Sequence, residues 1–169
     1  MDRLENARAL RSNKRCYVRF INSTERTVEL TWINFSGQYV RYRILNKGNS
    51  VDINTYKTHP WIAKDILTKD VLHVDKNFIY LPKTTREYMR ERYPGRSIPE
   101  NHEARVRAHI MLPIYSLRYA SLLCIRNHML DPEDVDTLAL PRNLSEELKR
   151  LIKKRNRECA LQALELQNR

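Results

Sequence analysis

Glycine is scarce in this chain, with three among 169 residues, at Gly37, Gly48 and Gly95. So few, so far apart, they exclude a glycine-rich phosphate loop. Cysteine is equally scarce: Cys16, Cys124 and Cys159 stand alone, with no C-x-x-C pair. Isolated thiols of this kind act as small apolar residues in a reducing compartment. The five histidines, at 59, 73, 102, 109 and 128, show no ligand-like spacing to cysteines or acids. No metal and no cofactor are therefore expected, and no nucleophile–base pair suggests an enzyme. No stretch approaches the roughly 18 apolar residues of a membrane span. The opening MDRLENARALRSNKR lacks the apolar core of a secretory signal. These absences point to a protein of the cytoplasm and nucleus.

What the chain has in excess is positive charge, a formal net of +11, beside a hydrophobic content of 41% that is enough for a core. Lys and Arg are spread over the N-terminus, the strands, the 83–107 region and the last helix, with Glu interleaved. A phosphate-tracking surface concentrates its charge on one element or stripe. The distribution thus argues against nucleic acid and in favour of an acidic protein segment. A basic β-sandwich that binds nucleic acid stays as one alternative, and a cytoskeletal or structural module using the helices alone as another.

The hydrophobic pattern changes period once. Residues 1–12 are polar and read as a flexible lead. From 13 to 112 the period is two: Cys16, Val18 and Phe20; Val28, Leu30 and Trp32; Val40, Tyr42 and Ile44; Val51, Ile53 and Thr55; Val106, Ala108 and Ile110. VLHV (71–74) and FIYL (78–81) flank Asp75-Lys76-Asn77 as a hairpin signal. Short strands with turn signals about every ten residues predict an antiparallel β-sandwich and exclude a doubly wound fold. A long charged loop, 84–103, interrupts it, with one turn of helix expected around 85–92.

After Pro113 the period becomes 3.6, and 113–169 reads as a small three-helix domain; the fold class is α+β, mainly β. The helices are expected at about 116–129, at PEDVDTLAL with Asp131 as N-cap and Pro132 first, and at about 144–167 with Asn143 and Glu146 in capping-box spacing. The first is apolar around most of its circumference. Leu117, Ala120, Ser121, Cys124, Ile125 and His128 share one arc, and Leu122 and Met129 widen it. Such a helix is either wedged between domains or docks a partner. Leu117, Ser121 and Ile125 form a narrow i, i+4, i+8 stripe with a small residue at its centre.

The run from Trp32 to Trp61, TWINFSGQYVRYRILNKGNSVDINTYKTHPW, sets aromatics, one His and a Thr along short strands. With LPIYSLRYASLLCI (112–125) and DPEDVDTLAL after it, the chain resembles the von Hippel–Lindau tumour suppressor family over nearly everything beyond residue 15. The resemblance implies a non-catalytic substrate receptor of a cullin-RING E3 ubiquitin ligase, acting in oxygen sensing on prolyl-hydroxylated hypoxia-inducible factor α. Trp32, Tyr42 and Trp61 match the walls of that family's hydroxyproline pocket. His59 matches the imidazole that meets the 4-hydroxyl, and Thr55 stands at a serine position. Ile53, Asn54 and Tyr56 complete the expected peptide site. Ser116, Leu117, Ser121, Leu122, Cys124 and Ile125 fall in the BC-box (116–125), which implies Elongin C and through it Elongin B. Pro132, Val135, Leu138 and Leu140 fall in the cullin-box (131–144), which implies a cullin scaffold with its RING protein. Ser121 replaces the usual BC-box Cys, Asn54 a His and Arg43 a Pro, and the 84–103 insertion has no counterpart in the family.

Overall fold

The computed structural model describes residues 7–99 and 102–167. The chain divides into two compact units, Met1–Leu67 with Val71–Pro113, and Thr68–Asp70 with Ile114–Arg169.

The first unit is built on β1 (Arg15–Asn22), β2 (Val28–Ile33), β3 (Tyr39–Leu45), β4 (Ser50–Tyr56), β5 (Trp61–Asp65), β6 (Val71–Val74) and β7 (Val106–Met111). They run in the order β3-β2-β5-β6-β7-β1-β4. All neighbours are antiparallel except β1 and β7, which pair in parallel. The purely antiparallel sandwich expected from the sequence is thus a mixed sheet. A parallel pair needs a long crossover, and the chain between Asn22 and Val106 supplies it. The outer strands β3 and β4 approach each other, so the sheet is nearly closed.

The period-two pattern sorts side chains as its alternation predicts. In β1, Cys16, Val18 and Phe20 are buried while Arg15 and Arg19 face water. With Val28, Leu30, Ile53, Leu72, Val74, Ala108 and Ile110 they form the core, each Val, Leu, Ile or Phe contributing about 1.5–3 kcal/mol by burial. Burial pushes the Cys16 thiol up to about 11, so it stays protonated. Edge strand β3 is different: Tyr39, Val40, Tyr42 and Ile44 all remain exposed.

The expected hairpin of 71–74 with 78–81 does not form. Asp75 and Lys76 do turn tightly, both with positive φ, and Val74 meets Asn77 in a single bridge. Both edges of β6 are already taken by β5 and β7, so Tyr80 exchanges backbone hydrogen bonds with Trp61 instead, at 2.8 and 2.9 Å.

The 84–103 insertion is more ordered than one turn. It carries α1 (Thr85–Arg92), opened by a capping box in which Thr84 and Glu87 satisfy each other's backbone N–H. The Thr85 hydroxyl donates to the Ala104 carbonyl at 2.7 Å and accepts from the Ala104 N–H at 3.2 Å. Lys57 pairs with Glu87, which ties α1 to the turn that follows β4 and holds the Glu87 carboxyl below its ordinary range. Of the lead expected over 1–12, residues 1–6 lie outside the described residues. Ala9 is buried and its N–H reaches Asn34 O at 3.0 Å; Leu10 O accepts from the Thr58 hydroxyl at 2.6 Å.

The second unit holds α2 (Leu117–His128), a 3-10 turn at Pro132–Thr137 and α3 (Arg142–Gln167). Ser116 caps α2, its hydroxyl accepting from Tyr119 N–H, and Asp131 caps the 3-10 turn. Helix α3 starts earlier than the predicted Asn143 cap, directly after Pro141, and Glu146 pairs with Arg142 at 2.9 Å rather than closing a capping box. Leu122, Val135, Leu148 and Ile152 form its core. Arg126 is buried and grips Asp70 with two nitrogens, at 2.7 and 2.6 Å, while Arg155 donates to the carbonyls of Arg126 and Met129 and closes the end of α2.

Candidate functional site

The aromatic residues of 32–61 converge because three strands bring them together. Trp32 on β2 stands directly opposite Trp61 on β5, and facing residues of an antiparallel pair share one side of the sheet. Trp61 is 3% exposed. Phe20 tilts against it at 5.4 Å, and Tyr42 from β3 meets it edge-on at 5.3 Å. Thr55 points inward from β4, is also 3% exposed, and its hydroxyl oxygen accepts from the Trp61 indole N–H at 3.1 Å. That bond fixes the hydroxyl. With the oxygen occupied by the indole, its own proton is free to be donated.

His59 sits in the turn between β4 and β5, its backbone N–H held by Tyr56 O at 3.0 Å. Its ring lies against three aromatics: Trp32 at 5.2 Å, Phe35 at 5.5 Å and Tyr56 at 5.1 Å. Burial holds its pKa below the ordinary histidine value, so the ring is neutral at pH 7 and keeps one nitrogen as an acceptor. The indole nitrogen of Trp32 is buried with no hydrogen-bond partner among the described residues, so an unmet donor lies beside this cluster.

The structure therefore gathers Trp32, Tyr42, Thr55, Tyr56, His59 and Trp61. The other two expected peptide residues lie outside this cluster. Ile53 is a core residue of the sandwich, 3% exposed, because it shares the inward parity of Thr55 on β4. Asn54 has the opposite parity and faces the outside of the sheet. Phe35, exposed and edge-on to both Trp32 and His59, was missed by the sequence reading. Its signal was its place in the Trp32–Gly37 run, outside any strand alternation.

On α2 the residues separate by face. Leu117 is 85% exposed, and Ser116, Ser121 and Cys124 are exposed with it, while Ile125 is half-buried. Leu122 is turned into the helical core and offers no surface. The Ser121 hydroxyl donates to Leu117 O at 3.0 Å, so this small residue hides its polarity within its own helix. In the 131–144 segment Val135 is 0% exposed and serves the core. Pro132, Leu138 and Leu140 are half-buried and keep some outward surface. Among the described residues no helix is long and apolar enough to cross a membrane, and no group of three His, Cys, Asp or Glu could hold a metal ion.

Comparison with known proteins gives both a family match and a related sequence. The family model described as VHL beta domain matches residues 7–88, a span that contains every aromatic of the pocket. Over 102 residues, 60% of this chain, the sequence is 30% identical to Protein Vhl of Drosophila melanogaster. The aligned stretch covers 55% of that relative's length. The mixed β-sheet and its aromatic pocket agree with these matches: over residues 7–88 the chain is similar to the VHL beta domain.

Proposed function

We propose that this protein is the substrate-recognition subunit of a cullin-RING E3 ubiquitin ligase, and that it captures prolyl-hydroxylated hypoxia-inducible factor α in the cytoplasm and nucleus. The observation that carries the reading is the pair Thr55 and His59 set among Trp32, Tyr42 and Trp61. A pyrrolidine ring is flat and apolar enough to pack on these faces. Its added hydroxyl needs one donor and one acceptor. The Thr55 O–H, aimed away from the indole that its oxygen serves, donates to the ligand oxygen. The ligand O–H donates to the unprotonated ring nitrogen of His59. Plain proline would bury both groups without partners, at about 1–3 kcal/mol each. Sites of this construction reject the analogue that lacks the hydroxyl.

The helical unit would supply the ligase connection. Leu117, Ser121 and the outer part of Ile125 offer an apolar stripe to Elongin C, which brings Elongin B; Pro132, Leu138 and Leu140 offer the outward surface to the cullin scaffold and its RING protein. The chain itself performs no chemistry in this scheme. Isothermal titration with hydroxyproline and proline versions of one peptide tests the pocket. A preference within a factor of about three, only some 0.7 kcal/mol, would reduce the aromatic cluster to core packing. Co-expression tests the helix: Elongin C and B should raise the soluble yield, and a chain equally soluble and cooperative without them would count against docking.

A further inference from the structure

Strand β4 has two faces, and Thr55 turns inward to the pocket from only one. On the other, Arg15, Tyr17 and Arg19 of β1 lie beside Tyr56, Asn54 and Asp52 of β4, and Arg107 of β7 lies beside Arg19. Two hollows of about 190 and 210 Å³ adjoin there. The first is lined by Arg15, Tyr17, Asn54, Thr55 and Tyr56; the second by Tyr17, Glu103, Ala104 and Arg105. Tyr17 lines both, so they lie side by side on this face and are treated together as one groove, with the end of the inserted segment lining the second.

This groove is continuous with the pocket through β4. Thr55 lines it with the strand that aims its hydroxyl inward, and Tyr56 forms its floor while touching the His59 ring. Its charge is unbalanced. Two arginines, Arg15 and Arg105, line it against one carboxylate, Glu103, and Arg19, Arg107 and Asp52 lie further along the same face. Asp52 is already held by Arg19 at 2.6 and 2.8 Å, and Arg105 approaches it at 3.2 Å. Arg105 spends one further N–H on Ile53 O at 3.5 Å, which leaves donors of its five unused. The Arg15 side chain is exposed and makes no hydrogen bond or ion pair with any described residue.

Resting on the reading above, we propose that this groove takes an acidic side chain of the same peptide, flanking its hydroxyproline, between Arg15 and Arg105. An extended peptide advances about 3.3 Å per residue and alternates its side chains. With its ring sunk on one side of β4, residues one to three positions away pass over the strand to the other side. Charge complementarity selects an Asp or Glu there, and Arg accepts a carboxylate in two-point geometry. The insertion then acts as a specificity element, because it ends in Glu103 and places Arg105.

The experiment is fluorescence polarisation on the full chain with labelled hydroxyproline peptides. One peptide has alanine flanks; the others carry a single Asp or Glu at each position from three before to three after. At least one position should tighten binding about fivefold or more, and the gain should fade between low and moderate salt. Arg15→Gln should erase the gain and leave the alanine-flanked peptide unchanged; since the Arg15 side chain has no partner, folding is not at stake. Arg15→Glu with lysine at the same peptide position should restore it. Acidic flanks that shift affinity less than twofold everywhere, with hydroxyproline still preferred, would overturn the groove and leave the pocket standing. Loss of hydroxyproline preference in every peptide would overturn both.

Discussion

Thr55→Val isolates what one hydroxyl does, because the swap keeps the β-branched shape that suits a strand and deletes only the oxygen. In the folded protein that oxygen accepts the Trp61 indole N–H at 3.1 Å in a site 3% exposed on both sides. Without it a buried donor is left unmet, which costs about 1–3 kcal/mol. Both tryptophans of the chain belong to the first unit, so urea unfolding followed by tryptophan fluorescence reads that unit alone. With a slope of about 2 kcal/mol per molar urea, a 2 kcal/mol loss moves the midpoint down by about 1 M. The same variant should lose about one to two orders of magnitude of preference for hydroxyproline over proline, since it removes the proposed donor to the ligand. Thr55→Ser should retain both properties. The decisive control is Trp61→Phe, which removes the indole N–H. In that background the stability cost of Thr55→Val should shrink, as a double-mutant cycle measures. Equal costs in both backgrounds would mean that the hydrogen bond is not what Thr55 contributes, and the reasoning would fail.

The other expectations can be stated briefly. Leu117→Ala should leave the unfolding midpoint of the chain unchanged, because Leu117 is exposed, and should weaken Elongin C capture by about 2–4 kcal/mol; Ser121→Cys should strengthen it, and unaltered titrations for both would remove the docking role from α2. Asp70→Asn should destabilise the helical unit by about 3 kcal/mol, read as loss of helical circular dichroism at lower urea, because it leaves the buried Arg126 guanidinium without its counter-charge. For His59, burial lowers the pKa from the ordinary value of 6.5, so the unfolded chain takes up the proton more readily than the folded one. Its contribution to stability is present above pH 6.5 and fades as the pH falls below it. Hydroxyproline preference should follow the same window: constant from pH 7.5 to 6.5, and falling only below 6.5. A drop already complete at pH 6.5 would contradict the burial.

How far the sequence could be read depended on which force decided each element. Strand and helix existence followed periodicity, and β1, β7 and α2 lie where alternation or the 3.6 period put them. Pairing partners did not follow, because register and neighbours depend on long-range closure. The Val71–Leu81 run looks like a hairpin locally, yet Tyr80 bonds Trp61 once β6 is enclosed on both sides. Burial was legible only as a parity. It did not distinguish Ile53, sunk into the core, from Thr55, which lies at the pocket wall two residues on. Leu122 and Val135 were read as contact residues because they fall inside familiar motifs, whereas helical packing claims both. The insertion was the least legible part, since its helix is fixed by a Thr84–Glu87 capping box and by the pairing of Glu87 with Lys57, and the latter is distant in sequence.

Three residues that differ from the pattern of the resembled family, Arg43, Asn54 and Thr55, lie on β3 and β4 at or beside the pocket. A proline at position 43 could not donate to a ladder and would interrupt the edge strand. Arg43 keeps its N–H, and β3 runs from Tyr39 to Leu45 with Arg43 paired opposite Leu30. The ladder shifts register between Leu30 and Thr31, so Tyr42, which meets Trp61 edge-on, sits at a bulge directly beside Arg43. The charge also guards a free edge, since arginines on β3 discourage pairing with another chain. Asn54 faces the outer groove rather than the ring pocket, so replacing an imidazole there alters what lies beside the hydroxyproline and not the recognition of its hydroxyl. Thr55 alone changes the pocket wall. Its added methyl belongs to a residue whose oxygen is already pinned by the indole, so the hydroxyl cannot rotate to relieve crowding. If the family fold tolerates that methyl, Thr55→Ser should leave hydroxyproline affinity within about threefold. A larger gain on removing the methyl would show that this chain trades some ligand affinity for a stiffer strand.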